Sequence, residues 1–260
     1  MARSPQRSWT APTLFSLAAI AAGLPQAGGT GIPGDHCPGS IEVHGFHSVS
    51  LVPARWNTPG HHGALVEILE SNSTEKHWTT EQRYLRGQTT FNKVVPHLGG
   101  RTYFGETCTP GQYNNDEYVA LNLLGKTLRY TLNVSGAGCG CNAALYLTSM
   151  KQNKERGDCE DFYCDSSSVC GSECPEIDIQ AANEVAWHSD LLGVDGGYGG
   201  GANWDGPRDW GYKDYAPGSK CIDTRYPFDV AVSFPLSPSG GLYAMVVNLT
   251  QKKQDGRPPC

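Results

Sequence analysis

Six cysteines fall between Cys139 and Cys174, and four more stand at Cys37, Cys108, Cys221 and Cys260. Such density restricts the chain to one of two scaffolds: a framework stapled by disulfides in an oxidising compartment, or a fold built on metal-thiolate sites. Cys159-x4-Cys164 and Cys170-x3-Cys174 have spacings that would suit zinc. The N-terminus favours the disulfide reading. Arg3 and Arg7 precede an apolar run, Pro12 to Leu24, that is too short to span a bilayer, and Ala21-Ala22-Gly23 or Ala27 offers a small-residue cleavage point. Met1 to Ala27 therefore reads as a secretory leader, and its removal takes the formal charge from −6 to −8. Sequons at Asn72, Asn133 and Asn248 fit a secreted, extracellular glycoprotein. No metal or cofactor is expected, and spacing alone dictates no cysteine pairing.

Thirty-two glycines and 17 prolines, with only 18% charged residues in 260, predict a loop-rich all-β chain rather than a helical one. After the leader, residues 28–40 read as a flexible entry, 41–250 as one β-sandwich domain, and 251–260 as a polar tail. No basic run or stripe suggests a nucleic-acid partner, and no further stretch is long and apolar enough for a membrane span. Leu128, Tyr130, Leu132 and Val134 alternate with polar residues, as do Phe228, Val230, Val232 and Phe234, and both patterns predict half-buried strands. Ala143 to Met150 is a nearly continuous apolar run suited to a strand covered on both faces, and Leu242 to Leu249 reads as the last strand. His61-His62 are adjacent, so on a strand they point to opposite faces and make no metal pair.

The chemistry concentrates at Cys174-Pro-Glu-Ile-Asp-Ile-Gln-Ala-Ala-Asn183. With a period of two, Glu176, Asp178 and Gln180 share one strand face and Ile177 and Ile179 the other. Two carboxylates roughly 7 Å apart along a strand repel each other, and both residue types are poor strand formers. They suit either a solvated outer face or a polar cleft floor, where neighbouring carboxyls push each other's pKa values apart. Beyond them, Trp187-His188 leads into a glycine-rich segment holding Trp204 and Trp210. Flat rings there could cover the apolar faces of sugars, or cap the sandwich edge.

Glu176-Ile-Asp-Ile-x-x-Ala182-Asn183 resembles the Glu-x-Asp-x-x-Glu catalytic strand of the retaining glucanases of glycoside hydrolase family 7, whose strand reads Glu-Met-Asp-Ile-Trp-Glu-Ala-Asn. Cys139-Gly-Cys-Asn-Ala-Ala-Leu-Tyr-Leu-Thr-Ser-Met150 is similar to that family's Cys-Gly-Leu-Asn-Gly-Ala-Leu-Tyr-Phe-Val-Ser-Met, in the same order. The likeness covers about residues 120–250. It implies a concanavalin A-like jelly-roll sandwich, a β-1,4-glucan such as cellulose as partner, Glu176 as nucleophile and Asp178 as its hydrogen-bonding helper. Gln180, Trp187, His188, Trp204 and Trp210 would then bind substrate. The chain departs from the pattern where the family has its acid/base Glu: here stands Ala181. The candidates to replace that acid are Glu184, His188 and a protonated Asp178. Family members also commonly have a much longer second half. Three readings follow: a retaining β-1,4-glucanase impaired at the acid/base, a lectin-like β-glucan-binding pseudoenzyme, and a disulfide-stapled matrix protein.

Overall fold

The structure, a computed structural model, describes residues 16–21, 37, 39–43, 45–54, 66–71, 91–96, 100–193 and 209–252. Its strands are β1 (Ser16–Ala21), β2 (Gly39–Glu42), β3 (Ser48–Pro53), β4 (Val66–Ser71), β5 (Phe91–Pro96), β6 (Gly100–Gly105), β7 (Thr127–Leu132), β8 (Ala143–Thr148), β9 (Glu176–Ala182), β10 (Trp187–Leu192), β11 (Tyr215–Ala216), β12 (Ile222–Asp223), β13 (Phe228–Ser233) and β14 (Val246–Thr250). The one helical element among the described residues is a 3-10 turn at Asn115–Glu117. The expected all-β class is what is observed.

Seven strands form one antiparallel sheet in the order β10-β9-β8-β1-β6-β3-β2, and three form a second in the order β14-β13-β7. Period-two burial joins the two sheets. Leu147, Ile177, Ile179, Ala182 and Trp187 from the large sheet meet Phe228, Val230 and Val232 from the small one, and Leu128, Tyr130 and Leu132 close the layer. A face-to-face sandwich follows from this alternation, since each sheet has one apolar face to hide. The last strand begins later than its apolar run predicts. Leu242 instead bridges to Leu236 across the tight turn Ser237–Gly241, so regular pairing with β13 starts only at Val246.

The opposite face of the large sheet is partly roofed by residues 150–174. Met150, Cys159, Phe162, Tyr163 and Cys170 pack on Val52, Tyr103 and Tyr118. Two overlapping disulfides, Cys159–Cys170 and Cys164–Cys174, hold this loop, and a third joins Cys37 to Cys108. The zinc alternative therefore fails for both candidate spacings, because all four sulfurs are bonded to one another in pairs. Cys139 and Cys141 are free thiols. Gly157 is required by close approach: a Cβ there would run into the carbonyl oxygen of Cys170. Buried beneath the loop, Asp161 accepts hydrogen bonds from the Tyr103 hydroxyl at 2.9 Å and from the Tyr163 amide at 3.0 Å.

β1 falls inside the stretch read as a leader. Its backbone lies between β8 and β6 and joins the two halves of the large sheet. His61-His62, Trp204 and the Asn72 sequon lie outside the described residues; Asn133 and Asn248 are exposed.

Trp187 is the keystone of the inter-sheet layer. It is fully buried, with edge-on ring contacts to Trp210 at 6.0 Å, Tyr215 at 6.1 Å and Phe228 at 6.2 Å. Trp187→Ala should lower the unfolding free energy by about 3–5 kcal/mol. The check is a urea titration in which the midpoint falls at unchanged m-value.

Candidate active site

The site stands on β9, and its geometry turns on one irregularity. Across β8, Leu145 pairs with Gln180 but Tyr146 pairs with Asp178. Across β10, His188 pairs with Ala181 but Asp190 pairs with Asp178. β9 thus carries one residue more than either neighbour over this stretch, a β-bulge at Ile179-Gln180. Before the bulge the expected parity holds, with Glu176 and Asp178 on one face and Ile177 and Ile179 in the inter-sheet core.

After the bulge the parity inverts. Gln180 does not join the carboxylates: it turns toward the small sheet. There its Oε1 accepts from the Tyr130 hydroxyl at 2.9 Å and its Nε2 donates to the Ala143 carbonyl at 2.9 Å. With both ends of the amide occupied and only 3% exposure, Gln180 is a structural residue rather than a substrate ligand. Ala181 takes its place beside Glu176 and Asp178. Residues paired across adjacent strands share a face, so Tyr146 and Asp190 flank Asp178, while Ala144 and His188 flank Ala181.

Both carboxyls are 6% exposed. Glu176 Oε2 accepts two hydrogen bonds from Ser166, from its amide at 3.2 Å and its hydroxyl at 2.9 Å. Burial raises the Glu176 pKa; the Ser166 donors and a hydrogen bond from Asp178 pull it back. Asp178 has no such donors. Burial first, then the Glu176 charge and the hydrogen bond to it, push Asp178 up to about 9. Both carboxyls are raised, Asp178 the more strongly, so at neutral pH the pair holds a proton and Asp178 is its main carrier. The Tyr146 hydroxyl, also on this face, accepts from Asn142 Nδ2 at 3.3 Å and is raised by burial and by Asp178.

Of the residues expected at the site, Glu176, Asp178, Ala181 and His188 come together on one face. Trp187 does not: its ring lies in the core and its Nε1 donates to Ser189 Oγ at 2.8 Å. Trp210 packs edge-on against Trp187, partly buried at the sandwich margin. Glu184 lies in the turn after β9, with its carboxylate toward Gly138. Periodicity did not bring in Ser166, Tyr146, Asp190 or Asp209. Among the described residues no cluster of three or more His, Cys, Asp or Glu side chains could hold a metal, and no helix is long and apolar enough to cross a membrane.

Chemically, a buried carboxylate with a protonated carboxyl beside it has the means to act as a nucleophile. Position 181, on the same face of β9, offers only a methyl group.

The protonated partner gives the site a stability signature. Because Asp178 is raised in the folded state, the folded chain binds more protons than the unfolded chain between the ordinary Asp range and about 9. Stability should be fullest below the unfolded pKa and fall as pH rises through this window. Asp178→Asn, which keeps the shape without the titration, should flatten the decline, as followed by the melting temperature between pH 5 and pH 9.

No family model matches the chain. Endoglucanase EG-1 of Hypocrea jecorina is 29% identical over 198 residues, covering 64% of this chain and 40% of that protein. Endoglucanase EG-1 of Trichoderma longibrachiatum is 30% identical over 201 residues, covering 64% and 41%. An endo-beta-1,4-glucanase of Emericella nidulans is 30% identical over 112 residues, covering 35% and 25%. The chain thus spans about two fifths of the length of the EG-1 relatives. A solved structure of Humicola insolens Cel7B glycosynthase mutants aligns with a TM-score of 0.39 at 22% identity, covering 55% of this chain and 44% of that one. The likeness is to fungal endoglucanases, which agrees with the family resemblance read from the strand and cysteine segments of the sequence.

Proposed function

We propose that this protein is a secreted glycoside hydrolase acting on β-1,4-glucan by the retaining mechanism, with an intact nucleophile and helper and an impaired acid/base. The observation that carries the reading is the Glu176–Asp178 pair: one buried carboxylate, oriented by two Ser166 donors, beside one carboxyl that keeps its proton. Glu176 attacks the anomeric carbon, and Asp178 stabilises the carboxylate as it forms and leaves the glycosyl ester. Secretion is supported by the disulfides, which fit an oxidising compartment. The relatives' names supply the substrate class. The Ala181 methyl cannot protonate a sugar oxygen, which withholds a contribution of typically 10²–10⁴-fold.

A second reading is favoured by that same alanine: a catalytically inactive, lectin-like β-glucan binder on the same sandwich. Leaving-group chemistry separates the two. The 2,4-dinitrophenolate of a 2,4-dinitrophenyl β-cellobioside departs without protonation, so an intact nucleophile should release it, and Glu176→Gln should abolish the release. Ala181→Glu should raise reducing-sugar formation from soluble β-1,4-glucan. Glucan binding with no product from either substrate, in both the native protein and the Ala181→Glu variant, would establish the binder instead.

A further inference from the structure

Three places outside the nucleophile pair hold reactive groups: the free thiols Cys139 and Cys141 on the loop before β8, the buried Asp161–Tyr103–Tyr163 cluster under the stapled loop, and the histidine beside position 181. The thiols have no second group with them, and the tyrosine cluster is closed beneath the loop. The histidine has a geometry that the fold does not otherwise need.

We propose that His188 replaces the missing acid/base of this site, as an Asp209–His188 dyad placed across the strand pair from Ala181. The inference rests on the retaining reading above and names the group that completes it. His188 is the β10 partner of Ala181, so its side chain leaves the sheet on the same face as Glu176 and Asp178. Cross-strand partners have Cβ atoms about 4.5–5.5 Å apart, which sets the imidazole beside position 181. Trp187 before it is locked in the core, which fixes the parity of His188.

The ring is held at one nitrogen and left open at the other. Nδ1 lies 3.2 Å from Asp209 Oδ1, while Asp209 Oδ2 accepts the Ser189 amide at 2.9 Å and the Asp209 amide donates to the Trp187 carbonyl at 3.1 Å. Asp209 is thus pinned to β10 by backbone bonds on both sides and orients the imidazole. A carboxylate on one ring nitrogen sets the tautomer and frees the other for proton transfer. Nε2 is buried and has no hydrogen-bond partner among the described residues; Asp190 Oδ2 is 3.9 Å away. An unmet buried donor is unfavourable, and a glycosidic oxygen entering beside Ala181 would satisfy it. The side chain keeps 21% exposure, so part of the ring reaches the surface beside the buried Nε2.

In the first step Glu176 forms a bond to the anomeric carbon as the bond from that carbon to the leaving oxygen breaks, and the Nε2 proton passes to that oxygen. Neutral His188 then takes a proton from the water whose oxygen attacks the anomeric carbon. Glu176 departs as a carboxylate, and the imidazolium is restored. One water is consumed for each bond cleaved.

The test compares native protein, His188→Gln and His188→Ala on soluble β-1,4-glucan and on 2,4-dinitrophenyl β-cellobioside, with folding checked by near-UV circular dichroism. Loss of the dyad should cut glucan hydrolysis by about 10²–10⁴-fold while leaving a stoichiometric burst of dinitrophenol. Azide, which attacks without a base, should restore turnover of the activated substrate and yield the β-glycosyl azide. Adding Ala181→Glu to His188→Gln should recover glucan hydrolysis. Unchanged glucan hydrolysis in the variants, or equal loss on both substrates in a folded variant, overturns the proposal. Dinitrophenol release that depends on Glu176, with no glucan hydrolysis by the native protein, overturns it too and leaves the retaining reading standing. No dinitrophenol release by the native protein brings down the retaining reading itself, and this proposal with it.

Discussion

Two carboxyl groups two residues apart on one strand, each 6% exposed, cannot both ionise at neutral pH, because burial penalises each charge and each charge penalises the other. The protein resolves the conflict asymmetrically. Ser166 brings two donors to Glu176 and none to Asp178, so the charge settles on the glutamate and the proton on the aspartate. The rest of the site is built around that division. β8 and β10 bury the pair from both sides, the stapled loop delivers Ser166, and the small sheet fills the space behind.

The bulge decides what else can reach the pair. In a regular strand, position 181 would point with Ile177 and Ile179 into the core, and a polar Gln180 would stand beside the carboxylates. The extra residue exchanges these roles. Gln180 becomes a bridge between the sheets, bonded to Tyr130 and the Ala143 carbonyl, and a small residue opens the front of the site. The same register shift on the β10 side brings His188 opposite Ala181.

Much of the sandwich was legible because burial on one face leaves a period-two record. Leu128–Val134 and Phe228–Phe234 alternate as expected, and β8 is covered on both sides. The Glu-x-Asp pair was legible for the same reason. The bulge was not, since no residue at 179–180 advertises it; only the offset of three from Asp178 to Ala181 in the family resemblance hints that an odd step must share a face. Trp187 and His188 were both expected at the ligand, yet adjacent strand residues face opposite ways, and the larger apolar ring takes the core. Ser166 was hidden because its role depends on a loop whose path is set by disulfides, and disulfide pairing is not readable from spacing. β1 was hidden differently: a short apolar run satisfies a leader and a central strand equally well.

Ser166 lies inside the ring closed by Cys164–Cys174, and Cys159–Cys170 crosses that ring. Asp165, just before Ser166, is bonded through its backbone to Ser168, Ser172 and Cys174, so the hydrogen bonds to Glu176 depend on a loop whose path the oxidised sulfurs staple. The production host thereby becomes a variable of the chemistry. A chain folded in a reducing cytosol would keep every acid in place in the sequence and lose the tether that assigns the charge between them, so assays on such material would understate what the oxidised protein does.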